Sequence, residues 1–226
     1  DGDMYNTTYS PIYEKIEPWF SEHSYKNKIQ ASPSIFNFPK VVEEDVKKYK
    51  LFDYPEIKEN NLSSILTHNY KPTKEEQFIF KHLNATLGEH KQVMVWVLLF
   101  NSNEKNSVYM QKGYWKGANK NEFVVCLGIS GNKKVEWCRT FGWSKNKKID
   151  IETRNYFVEN KSLSLEKFGN FMYDQVLTNW KRTSFKEFDY IELDPPTWTI
   201  VTAWILSFIS CIGLFIWIIK NEYKNN

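Results

Sequence analysis

Val93 to Phe100 reads VMVWVLLF, a run with no polar side chain on either parity. A strand with no wet face belongs inside a sheet covered on both sides, which is the usual setting of parallel strands in α/β folds. Upstream, Thr73-Lys74-Glu75-Glu76 is a capping box, and Ile79, Phe80, Leu83 and Leu87 continue it as an amphipathic helix for which Gly88 supplies the expected stop. Downstream, Asn101 to Asn106 is a loop. Ser107 is the expected cap of a short helix running through Tyr109 and Met110 to Trp115, closed by Gly117.

Phe123 to Ile129, FVVCLGI, is a second fully apolar strand. A helix between two such strands predicts a parallel, right-handed crossover. Ser130-Gly131-Asn132-Lys133 is turn chemistry, and Val135 to Trp143 returns antiparallel to the second strand, with Val135, Trp137, Phe141 and Trp143 on one parity. Ser144 to Lys148 is a basic loop. A last helix starts near Ser164 and carries Leu165, Phe168, Met172, Val176 and Trp180 at spacings of three and four. The expected fold class is α/β (α+β), a mixed sheet of about four strands flanked by helices and followed by a C-terminal transmembrane helix.

That helix is Trp198 to Ile219, WTIVTAWILSFISCIGLFIWII, which carries no charge. At ~1.5 Å per residue it covers roughly 33 Å, enough for a hydrocarbon core of about 30 Å. Trp198, Trp204, Trp217 and Lys220 are the expected anchoring residues. The domain plan has four parts: a Pro- and aromatic-rich extension over 1–71, an α/β domain over 72–193, the span over 198–219, and a short basic tail over 220–226. Pro11, Pro18, Pro33, Pro39 and Pro55 keep long helices and central strands out of the extension. Val41 to Phe52 fits a short helix within it. Trp19, Phe20, Phe36, Phe38, Phe52 and Tyr54 give it rings to bury against the domain or to offer a partner.

A formal charge of +3 is too mild for a nucleic-acid partner. Cys126 and Cys138 fall on neighbouring strands, where a bridge depends on register, and Cys211 lies in the span. A chain that begins at Asp1 rather than Met fits one that was processed, cut or given without its upstream part.

The order of capped helix, apolar strand, short helix ending in Trp-Lys-Gly, second apolar strand, hairpin and amphipathic helix leading to a span resembles the TPM domain, over roughly Pro72 to Ile219. The most telling stretch is Tyr114-Trp115-Lys116-Gly117-Ala118-Asn119-Lys120-Asn121-Glu122. There the family places a Trp-Gly turn, then an acidic or Asn residue followed by Gly. This chain departs from that pattern, with Glu122 where the Gly would stand. The family comprises membrane-tethered domains of photosystem repair proteins, of bacterial envelope proteins and of an auxiliary subunit of a nematode receptor. Some members are acid phosphatases that use clustered acidic residues and a divalent metal, and others are interaction or assembly modules. The resemblance implies an exported domain with its tail in the cytoplasm.

The leading functional expectation is a non-catalytic, single-pass interaction or assembly domain. Its partners would be membrane lipid and another membrane or envelope protein. One rival is a divalent-metal phosphatase whose ligands would come from Glu104, Glu122, Asp150 and Glu152, the divalent cation being the one cofactor left open. The other is a homo-oligomer assembled through Ser207, Ser210 and Gly213. Lys116, Gly117 and Lys120 form a candidate anion loop, and Lys181, Arg182 and Lys186 are candidates for lipid headgroups near the span. His23, His68, His82 and His90 have no metal-ligand spacing and read as surface residues. Gly128-Ile129-Ser130-Gly131-Asn132 lacks the last Gly of a nucleophile elbow. The N-x-S/T triplets at Asn6, Asn61, Asn84 and Asn160 are common by chance in an Asn-rich chain.

Overall fold

The structure is a computed structural model that describes residues 5–8, 17–20, 38–55, 63–131, 133–188, 190 and 195–222. Asp1, Pro11, His23, Pro33, Phe36, Asn61 and Asn132, named above, lie outside the described residues. The chain divides into two compact units, Asp1–Phe188 and Asp189–Asn226.

In the first unit, β1 (Tyr5–Thr8) and β2 (Glu17–Phe20) pair as a separate antiparallel ribbon, and α1 (Glu43–Lys48) is a short helix. The main sheet has the order β3 (Ile65–Thr67), β4 (Met94–Asn101), β5 (Glu122–Ile129) and β6 (Val135–Gly142). β3 runs parallel to β4, β4 parallel to β5, and β5 antiparallel to β6. The connections are α2 (Lys74–Lys91) between β3 and β4, and α3 (Ser107–Tyr114) between β4 and β5; α4 (Lys148–Glu159) and α5 (Leu165–Asn179) follow β6.

The two apolar strands are covered on both faces, as their composition requires. Val95, Val97 and Leu99 of β4 and Phe123, Val125 and Leu127 of β5 pack with α2, α4 and α5 through Phe80, Leu83, Ile149, Phe168 and Met172. On the other face, Met94, Trp96, Leu98 and Phe100 of β4 and Val124 and Cys126 of β5 pack with Val108 and Trp115 of the α3 region and with Phe52. The fourth strand, β3, comes from within the Pro-rich extension, and Phe52 of that extension is part of the core. β3 reaches only Val97 to Leu99 of its neighbour. At Val95 the Asn84 side chain replaces it, accepting from the Val95 N–H (2.7 Å) and donating to the Val95 carbonyl (3.1 Å).

Local signals are met to different degrees. Thr73 and Glu76 form the reciprocal cap of α2, with Glu76 N donating to Thr73 Oγ1 at 3.2 Å and Thr73 N to Glu76 Oε2 at 2.9 Å. Gly88 does not stop this helix. It continues to Lys91 and ends at Gln92 in the left-handed conformation, whose N–H donates to Gly88 O, and an interior glycine costs such a helix only about 1 kcal/mol. Ser107 is the first residue of α3, and Asn106 holds the cap position.

Val135 is also displaced from the expected face. β6 pairs Trp137 with Gly128 but Val135 with Ile129, so Glu136 is an extra residue. A one-residue bulge inverts the facing of what lies beyond it. Val135 therefore packs with Cys138 on the α2 side, while Trp137 and Phe141 pack on the α3 side.

The second unit contains α6 (Thr197–Glu222). Among the described residues it is the one helix long and apolar enough to cross a membrane, with a mean hydropathy of 2.2 and none of that window buried. Trp198, Trp204 and Trp217 are all exposed along it, and Lys220 lies in its last turn.

Candidate functional site

The four candidate metal carboxylates are set apart by the sheet itself. Glu122 stands opposite Met94, where β4 and β5 begin, whereas Glu104 follows Asn101, where β4 ends. Seven residues at ~3.3 Å each separate these levels by roughly 23 Å. Asp150 lies in the first turn of α4, where it accepts from Thr140 Oγ1 at 2.7 Å. Glu152 is two residues further along the same helix, a spacing at which side chains do not face each other. Among the described residues, no group of three His, Cys, Asp or Glu side chains is placed to hold a metal ion. Glu104 is engaged by Lys50 at 2.9 Å and by the Asn101 N–H and side-chain amide at 3.0 Å each. Burial raises its pKa, but these contacts outweigh burial and hold the carboxyl below the ordinary range.

Glu122 is 2 % exposed and is the centre of a buried polar cluster. Its Oε1 accepts from the Tyr54 hydroxyl and from Trp96 Nε1 at 3.1 Å; its Oε2 accepts from the Asn119 backbone N–H at 2.7 Å. Burial pushes the carboxyl above the ordinary range, against these donors, which favour the anion. Tyr54, Trp96 and Trp115 close around it edge to face, with centroids 5.2 to 6.0 Å apart.

Tyr54 reaches this point because the chain from Lys50 to Tyr54 forms a strap across the α3 side of the sheet. The buried Gln111 amide accepts from Phe52 N at 2.8 Å and donates to Phe52 O at 2.9 Å, while Trp115 Nε1 donates to the same carbonyl at 2.8 Å. Tyr114 donates to Asp53 at 2.7 Å, and His68 stacks on the Phe52 ring at 4.2 Å. Glu104 and Glu122 are thus both engaged by the protein's own groups.

The candidate anion loop has a similar role. Lys116, Gly117 and Ala118 all have positive φ (49°, 81° and 67°), a costly run for the two residues that carry a Cβ. It is held by Gly117 N donating to Lys112 O (2.7 Å) and Trp143 Nε1 donating to Ala118 O (2.9 Å). Gly117 is needed there twice over, since a Cβ would also come within 2.8 Å of Phe38. Lys116 is exposed and Lys120 buried, so the two ammonium groups do not form an open pair.

Lys181, Arg182 and Lys186 lie where the chain leaves the first unit. Arg182 pairs with Ser144 across an antiparallel bridge and donates to Gln92, and Trp180 Nε1 donates to Lys91 O at 3.1 Å.

Register also decides the cysteines. Cys138 stands opposite Leu127 and Cys126 opposite Arg139, so the thiols lie on opposite faces of the sheet and are both free. Burial raises the pKa of both, that of Cys138 to about 12. His68 and His90 are exposed and His82 half-buried. Asn84, tied to the backbone of β4, is not presented as a glycosylation acceptor.

Sequence reasoning missed the strap and its clamp. A lone Gln in a short helix carries no signal until the peptide it grips, 59 residues upstream, is known. Comparison of the chain with family models, with curated proteins and with solved structures gives no match.

Proposed function

We propose that this chain is a single-pass, membrane-tethered α/β domain of the TPM type that binds another membrane or envelope protein and catalyses no reaction. The observation that carries this reading is an α/β body whose buried Gln111 and Glu122 are engaged by the protein's own groups, joined to an apolar helix with no burial of its own. The parallel crossover from β4 to β5 and the strained Trp-Lys-Gly-Ala loop support the TPM likeness. In this reading the domain lies on the exported side and the tail in the cytoplasm.

Membranes carrying the full chain provide the test. After a carbonate wash the protein stays in the pellet, and amine-reactive crosslinking joins its lysines to a discrete partner. Recovery in the aqueous phase overturns the anchor. Divalent-metal-dependent hydrolysis of a phosphate monoester by the purified chain, lost in Glu122→Gln, overturns the non-catalytic reading in favour of a phosphatase.

One observation favours a second reading, self-association through the helix. A Cβ built on Gly213 meets nothing within 4 Å, so this face of α6 is open to a close neighbour.

A further inference from the structure

The sheet brings together two basic segments that are far apart in the sequence. The turn from β6 into α4 carries Lys145, Lys147 and Lys148, and the segment after α5 carries Lys181, Arg182 and, in a 3₁₀ turn over Phe185–Phe188, Lys186. Lys145 N donates to Lys181 O at 2.9 Å, Ser144 bridges to Arg182, and Thr183 donates to the Trp143 carbonyl. Segments 144–150 and 180–188 thus form one surface with six cations against two carboxylates, Asp150 and Glu187, a net of +4 in a chain of formal charge +3. Glu187 is spent on Lys145, and Asp150 lies 3.9 Å from Lys147 while bound to Thr140. Lys147, Lys148, Lys181 and Lys186 are exposed.

This surface lies where the tether begins. Nine peptide steps separate Phe188 from Thr197, a reach of at most about 30 Å. We propose that the paired loops dock the domain on an anionic phospholipid surface, with Lys147, Lys148, Lys181 and Lys186 meeting the headgroup phosphates. The inference rests on the anchor reading above. Charge complementarity selects a lipid: the cations are long, exposed side chains spread over two adjoining segments, which suits a field of phosphates. Asp189, Glu192 and Asp194 in the tether oppose this attraction, and the test must separate their effect.

The full chain is reconstituted in nanodiscs of phosphatidylcholine alone or mixed with phosphatidylglycerol, and lysine reactivity is read by acetylation and mass spectrometry. In the anionic discs Lys147, Lys148, Lys181 and Lys186 should react about fivefold more slowly. Lys74 and Lys161, at the opposite end of the sheet, should not change. Molar salt should abolish the difference. Equal reactivity in both lipids overturns the proposal, as does a loss shared by Lys74 and Lys161. If inorganic phosphate added to the neutral discs reproduces the protection, the surface binds free anions and the lipid assignment fails.

The double variant Lys147→Glu/Lys148→Glu should restore the reactivity of Lys181 and Lys186, and protection that persists overturns the pairing of the two loops. Neutralising the tether acids to Asn and Gln should leave the protection in place or deepen it. Protection that vanishes with those acids means that the lysines answer to the tether and not to lipid. A chain that fails to enter discs of either composition refutes the anchor, which is a separate failure.

Discussion

Glu122 holds its proton more tightly in the folded chain than in the unfolded one, because burial disfavours the anion more than its three donors favour it. For a folded pKa above the unfolded value, the stabilisation is complete below about pH 4.3 and is lost as pH rises through the folded value. Glu122→Gln has no proton to lose and sets an NH₂ against the Asn119 N–H, at a pH-independent cost of about 1–3 kcal/mol. Urea unfolding of the detergent-solubilised chain between about pH 4 and pH 8 should therefore show the gap between the natural protein and the variant narrowing as pH rises. A gap that widens is the behaviour of a depressed carboxylate and would contradict the assignment. The acid was legible in the sequence, at the start of an apolar strand, but its environment was not. Tyr54, which closes over it, lies 68 residues away in a segment without periodicity.

At the scale of elements, the strap and the helix that grips it stand or fall together. Gln111→Leu keeps the side-chain volume and removes both hydrogen bonds to the Phe52 peptide, leaving its N–H unpaired in the core while Trp115 still serves the carbonyl. The expected loss is about 1–3 kcal/mol, with hydrogen exchange at the Phe52 amide faster by at least about tenfold. Unchanged exchange would mean that the segment is held by its rings alone. The elements visible in advance were those with an apolar run or period, or with a cap or turn residue to bound them: α1, α2, β4, α3, β5, β6, α5 and α6. α4 was hidden because Thr153 occupies the middle of its inward face, fully buried, with its hydroxyl turned back to Ile149 O at 2.7 Å. An apolar stripe broken by a threonine reads as a loop. β3 was hidden because three residues are too few to show a period, and their place in the sheet is set by β4.

At the scale of the whole molecule, the long apolar helix was the easiest feature to read and its association the hardest, since association in lipid depends on close packing more than on hydrophobicity. Ser207, Ser210 and Gly213 recur at three-residue steps on α6, and the Ser210 hydroxyl is already satisfied by Leu206 O at 2.8 Å. Its proton is committed and it can only accept from a partner, so attraction along this line comes chiefly from backbone approach at the small residues. Because a Cβ at Gly213 meets nothing within the chain, Gly213→Leu leaves the lone helix unstrained, and its effect can be assigned to contacts between copies. If the helices associate through this face, the dimer measured by energy transfer between labelled chains in vesicles should weaken by about tenfold. Ile212→Leu, a volume-conserving change off that line, should leave it as it was. A dimer indifferent to Gly213→Leu would remove this face from the assembly, and the helix would then serve as an anchor alone.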